Sequence, residues 1–352
     1  MLSQDRIKKL FFIVFLFLTL ISFASIFLSR KQIISPAARV VPIKERQILT
    51  YFYYWYDLPA GSHSTSLTDH PADTNTSYKS VPWFREQLTD MEEAGIDTAL
   101  VVYWSHFEPG YLEGLRNLIQ ARESLLNQGQ NPPKIALFLD TGFLDRLGKK
   151  QKDFTAQEGK KLFYSFIKEF YAQVELEHWG RIEDRPIVWL WGSWFPFSYD
   201  QPTFDFVYEQ FQKDFGKRPY IVREASWNFV KKQGFFGENI NYSKPIETDD
   251  IYIWGAALDG YRDSRGNIAV IGPGYDERSL PGKDRKGRFR DRENGEWYEK
   301  NFQQALSSQK PILVIETWNE FHEASDIAES KEYTRLYINF TKIFSRQWKE
   351  KF

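Results

Sequence analysis

Two glutamates stand three residues apart in Trp318-Asn319-Glu320-Phe321-His322-Glu323. Cleavage of a glycosidic bond needs one carboxyl group to deliver a proton to the leaving oxygen and another to act as base or nucleophile. Neighbouring groups can push the pKa values of such a pair apart, as the two roles require. Glutamate pairs most often mark a solvated acidic loop. Here the pair follows an apolar run, Pro311–Ile315, and is flanked by Trp and Asn, which favours chemistry. Glu320 and Glu323 are therefore the candidate catalytic residues. Glu316 shares strand parity with Trp318 and Glu320 and is expected to face the same cavity. There it could perturb the pair by like-charge repulsion, or pair with a cation such as Arg223.

The elements that must hold these residues follow from the hydrophobic pattern. Short β-rich apolar runs occur at Ile48–Trp55, Asp97–Trp104, Lys134–Asp140, Pro186–Trp191, Pro219–Glu224, Asp250–Trp254, Asn267–Gly272 and Pro311–Trp318. Amphipathic stretches with helical spacing lie between most of them: Val81–Ala94, Ala156–His178, Phe204–Phe215 and Tyr298–Leu306, with Glu332–Trp348 closing the chain. Continuous apolar strands alternating with amphipathic helices predict a parallel sheet covered by helices, and eight such strands predict a (β/α)8 TIM barrel. The interval Gly255–Gly266 is short for a parallel crossover and is read as a degenerate helix. A doubly wound open sheet is the alternative, without a glycine-rich phosphate loop after the first strand to support it. In a barrel the C-terminal strand ends converge on one face. Those ends carry Tyr54, Trp55 and Tyr56, Tyr103 and Trp104, Asp140, Trp191 and Trp194, Trp254, and Tyr275. Aromatic walls with a carboxylate floor suit the flat C–H faces and hydroxyl edges of sugars.

Composition narrows the alternatives. There are 46 Lys+Arg against 47 Asp+Glu, so no bulk charge points to nucleic acid. Aromatic residues make up 17% of the chain, which fits either stacking surfaces or an aromatic core. The chain has no cysteine, which excludes disulfides, zinc-thiolate sites and cysteine nucleophiles. The five histidines lack paired metal-ligand spacing, so no metal site is expected, and no G-x-S-x-G elbow occurs. The basic stretch Lys283–Arg292 is interrupted by Asp284 and Asp291 and reads as an active-site lid.

Leu10–Leu28 is apolar apart from Thr19, Ser22 and Ser25, with Arg6, Lys8 and Lys9 before it and Arg30 and Lys31 after it. As a helix it would be about 28 Å long, close to the hydrocarbon thickness of a bilayer. It exceeds the roughly 7–15 residues usual for a cleaved signal. Residues 1–28 are therefore expected to be a signal anchor, 29–47 a linker and 48–352 the barrel, on the non-cytoplasmic side. Cleavage after Ala24 and secretion is the alternative.

The motifs also carry a family likeness. Trp318–Glu323 resembles the N-E-W-H-E signature of glycoside hydrolase family 99, the endo-α-1,2-mannosidases and mannanases. Tyr51–Tyr56 with His70-Pro71 resembles that family's aromatic first strand and following loop. Ile271–Asp276, with Arg288, Arg290, Arg292 and Gly295 after it, resembles its P-G-Y-D stretch and arginine-glycine segment. The resemblance implies an oligo- or polysaccharide substrate, no cofactor, and a retaining, endo-acting mechanism through the substrate's 2-hydroxyl. It implies Glu320 as the base on that hydroxyl and Glu323 as the general acid/base. Around them the strand-end pattern and the resemblance together mark Tyr54, Trp55, Tyr56, His70, Tyr103, Trp104, Trp191, Trp254, Tyr275, Glu316, Trp318, Asn319 and His322 as expected substrate contacts. Ala324-Ser325 departs from the family's Gly-Thr, and Glu316 from a small polar residue, which bears on sugar specificity. A non-catalytic saccharide-binding barrel, or an accessory protein of glycan assembly, is the alternative reading.

Overall fold

A computed structural model describes residues 43–350, apart from 109, 150, 235–236, 265 and 283–285. Eight parallel strands form the barrel wall: β1 Gln47–Phe52, β2 Thr98–Tyr103, β3 Lys134–Leu139, β4 Arg185–Leu190, β5 Tyr220–Glu224, β6 Asp250–Tyr252, β7 Ile268–Ile271 and β8 Ile312–Ile315. They pair in the order β7-β8-β1-β2-β3-β4-β5-β6, which replaces the open doubly wound alternative with a nearly closed barrel. Thr50 of β1 faces Ala99 on one side and Ile315 on the other, so the first and last strands are neighbours. The remaining seam lies between β6 and β7. There the Asp250 carboxylate accepts from the backbone N–H of Asn267 at 3.1 and 3.2 Å and from the Tyr220 hydroxyl at 3.1 Å.

The helices are α1 Val81–Ala94, α2 Tyr111–Leu126, α3 Gln157–Tyr171, α4 Gln201–Phe215, α5 Ala256–Asp259, α6 Glu296–Ser308 and α7 Leu336–Glu350. In α1, Ser80 caps the first turn by accepting from Trp83 N–H, and Gly95 ends the helix at φ 81°. The four-residue α5 is the degenerate helix expected between β6 and β7. Among the elements additional to the sequence pattern are α2 and a hairpin of Phe229–Gly234 with Gly237–Pro245 that replaces a helix after β5.

Much of the aromatic content fills the barrel. Tyr51 packs on Phe138 at 4.6 Å and on Trp254 at 5.1 Å, and Trp189 packs on Tyr252 at 4.8 Å. This layer supports the floor of the cavity above it. The apolar run Leu10–Leu28 lies outside the described residues. Among the described residues no helix is long and apolar enough to cross a membrane.

Candidate active site

The chain leaves β8 at Ile315 and doubles back on itself, so that the glutamate segment is held by its own backbone. Thr317 Oγ1 accepts from Glu320 N–H at 2.9 Å, Ser325 N–H donates to the Glu320 carbonyl at 3.3 Å, and Ile327 N–H donates to the Thr317 carbonyl at 3.1 Å. Asn319 clamps this loop to the end of β1. Its side chain accepts from Tyr53 N–H at 2.8 Å and donates to the Tyr53 carbonyl at 2.7 Å, and its carbonyl accepts from the Tyr56 hydroxyl at 2.9 Å. The carboxylates are thus set by a fixed backbone.

Glu320, 6% exposed, accepts at Oε1 from His322 N–H at 3.1 Å and lies 2.9 Å from His322 Nδ1. The imidazole stacks on Tyr56, with centroids 5.7 Å apart and planes 13° apart. Burial disfavours protonation of His322, but its hydrogen bond to Glu320 and the charges of Glu320 and Glu323 outweigh this and raise its pKa. Desolvation and then the neighbouring Glu320 charge push Glu323 up to about 7, with Tyr275 working in the opposite direction. Two more carboxyls are raised, each chiefly by burial: Asp140 to about 6 and Glu316 to about 8. Asp140 accepts from Gly142 N–H at 2.8 Å. Glu316 accepts from the N–H groups of Gly255 and Ala257 at 3.1–3.2 Å, at the start of α5.

These groups open on one cavity of about 730 Å³. Of the residues expected from sequence, Trp55, Trp191, Trp254, Tyr275, Glu316, Glu320, His322 and Glu323 line it. Tyr56 and Asn319 are fully buried beneath it and support the loop. Trp104 stands behind the wall, its ring edge-on to Trp55 at 5.6 Å and covered by the Arg146 guanidinium at 4.8 Å.

Four expected contacts point elsewhere. Tyr54 turns outward toward α2, where its hydroxyl donates to the Tyr111 carbonyl at 2.9 Å. Tyr103 donates to Glu169 of α3. His70 Nδ1 pairs with Glu332 at 2.8 Å, away from the cavity. Trp318 is fully buried and donates to Gln87 of α1 at 2.8 Å, because the strand ends at Ile315 and alternation does not continue through the loop. Nor does Glu316 pair with Arg223, whose guanidinium donates to Thr248 and Asn228.

The cavity also takes in Tyr53, His63, Asp140, Trp194, Glu277 and Arg288. The strand-end pattern had marked Asp140 and Trp194, and the P-G-Y-D likeness had marked Arg288. Glu277 carried no signal beyond its place two residues after Tyr275.

Set beside known proteins, residues 45–352 match the model of a family described as a domain of unknown function (DUF5010). The chain belongs to that family. This DUF5010 member is also 33% identical over 96 residues to a human glycoprotein endo-alpha-1,2-mannosidase-like protein. That match spans 24% of this chain and 21% of the human protein. Its fold is similar to that of a GH99 endo-alpha-mannosidase from Bacteroides thetaiotaomicron, with TM-score 0.59 and 15% identity over 86% of this chain and 97% of that one. A glycoside hydrolase-like protein gives TM-score 0.57 and 12% identity over 90% and 98% of the two chains. The resemblance drawn from the motifs therefore holds for the fold: the DUF5010 chain is a family-99-like barrel.

Proposed function

We propose that the protein is a retaining, endo-acting glycoside hydrolase of α-linked, mannan-like glycans, working through the substrate's own 2-hydroxyl. The observation that carries this reading is the doubled-back loop, which presents Glu320 and Glu323 together at an aromatic-walled cavity with Glu323 pushed up to about 7. A carboxyl in that range holds its proton through weakly acidic pH, as a general acid must. In the first step Glu320 takes the 2-hydroxyl proton while O2 attacks C1, and Glu323 protonates the departing oxygen. In the second, Glu323 takes a proton from water as that water opens the 1,2-anhydro sugar at C1, and Glu320 returns its proton to O2. Two inversions at C1 leave the configuration retained. The choice of mannose follows the names of the human and Bacteroides relatives and the motif likeness.

Incubation with α-mannan is expected to release oligosaccharides, with a rate that declines as pH rises through about 7, where Glu323 loses its proton. Glu323→Gln should lower kcat by at least about a hundredfold, the scale of general acid catalysis. Turnover that survives this substitution, or a rate that rises above pH 7, would sink the assignment. The reading includes a tether through Leu10–Leu28, with the barrel on the non-cytoplasmic side. Release of the protein from membranes by high salt alone would remove the tether from it.

A further inference from the structure

We infer that Glu277 is a positioning residue that captures the single hydroxyl proton of Tyr275, so that Tyr275 meets the substrate as an acceptor. The inference rests on the glycosidase reading above. Tyr275-Asp276 and Phe289-Arg290 form a short antiparallel hairpin over the cavity. Asp276 N–H donates to the Glu323 carbonyl at 2.7 Å, which fixes the hairpin to the catalytic loop. Inside the hairpin Glu277 is only 3% exposed and accepts from the Tyr275 hydroxyl at 2.9 Å. Arg288 holds the same carboxylate through its backbone N–H at 3.0 Å, Nε at 3.1 Å and Nη2 at 2.9 Å. Its Nη2 also lies 3.3 Å from the tyrosine oxygen. Gly287 permits this closeness, since a Cβ there would sit 2.9 Å from Glu277 Cγ.

A phenol has one hydrogen to give. With that hydrogen on Glu277 and one lone pair accepting from Arg288 Nη2, the oxygen keeps its second lone pair for the cavity it lines beside Glu323. Positive charge builds on the anomeric carbon and ring oxygen as the glycosidic bond breaks. A tyrosine oxygen whose proton is drawn toward a carboxylate stabilises such charge better than a free phenol.

A double-mutant cycle on α-mannan hydrolysis tests this. Glu277→Gln is expected to lower kcat at least tenfold with KM within threefold. On a Tyr275→Phe background the same change should cost less than twofold. Equal losses in both backgrounds would overturn the proposal, because a merely structural glutamate does not depend on the tyrosine oxygen. If Glu277→Gln does not fold, Arg288→Gln replaces it, its side chain being 62% exposed, with an expected loss of threefold or more that vanishes beside Tyr275→Phe. A second readout needs no turnover: affinity for a mannose-configured iminosugar, whose ring ammonium stands in for the positive charge. Coupling there with no hydrolysis by the wild-type chain would uphold the role of Glu277 and reject the glycosidase reading. Absence of coupling in both readouts rejects the role.

Discussion

Glu316 is 1% exposed, and its oxygens accept backbone N–H groups of the Gly255–Ala257 turn. Burial lifts its pKa to about 8, far above the ordinary value of about 4.3 for glutamate. A carboxyl raised in the fold adds stability below its unfolded pKa, and that stability is lost as pH rises through the folded value. Glu316→Gln has no proton to lose in this window. Its Tm relative to the parent chain should therefore improve between pH 4.5 and pH 8.5, as thermal unfolding at both pH values would show. A difference that stays constant would mean Glu316 remains ionised in the fold. Residue type and strand parity were enough to place Glu316 in the cavity wall, but not to foresee its backbone partners or its distance from Arg223. Parity misled at Trp318, which lies beyond the last paired residue of its strand, whereas at Tyr54 alternation with the cavity-lining Tyr53 and Trp55 holds and turns the ring outward. Ala324 adopts φ 44°, a left-handed conformation that glycine would favour.

The eight strands were legible because each carries a short, mostly apolar run, buried on both faces of a parallel sheet. Helix α2 was not, since Gly114 breaks the pattern in its first turn. The glycine has a packing reason: a Cβ there would lie 2.5 Å from Tyr54 Cδ2, so the misread tyrosine and the missed helix are two sides of one contact. The hairpin after β5 escaped for another reason. Its second strand, Gly237–Pro245, is exposed throughout and has only Ile240 and Tyr242 as large apolar residues, too short an alternation to mark a strand. The seam between β6 and β7 is the weakest part of the wall by backbone pairing, and Asp250 compensates for it. This fully buried side chain receives Asn267 N–H, Ile251 N–H at 2.8 Å and the Tyr220 hydroxyl. Asp250→Ala strands these donors without water. At about 1–3 kcal/mol for each unsatisfied group, reduced by relief of a buried carboxyl, the net cost should be roughly 3 kcal/mol. Chemical denaturation measures it directly, and an unchanged midpoint would show that the seam is held by other contacts.

At the scale of the molecule, the glutamate loop is fixed by a charge cluster on the side away from the cavity. Arg292, just before α6, donates to Asp69 at 2.7 Å, to the Asp326 carboxylate at 3.0 Å and to the Asp326 carbonyl at 2.7 Å. The rings of Tyr333 and Tyr337 cover its guanidinium at 4.4 and 4.6 Å. Three segments distant in sequence thus meet at one buried cation: the loop after β1, the approach to α6, and the end of the glutamate loop. His70 and Glu332 reinforce the first of these junctions. Burial pushes both Asp69 and Asp326 upward, and Arg292 opposes it. Arg292→Met would leave two carboxyls facing each other without a cation, in a site where breaking such a cluster costs about 3–5 kcal/mol. The penalty should shrink as pH falls, because one of the two acids then takes up a proton and the repulsion disappears. Denaturation of the variant and the parent at pH 7 and pH 5 separates this from a packing defect. A charge defect gives a smaller difference at pH 5, whereas a defect of shape gives the same difference at both.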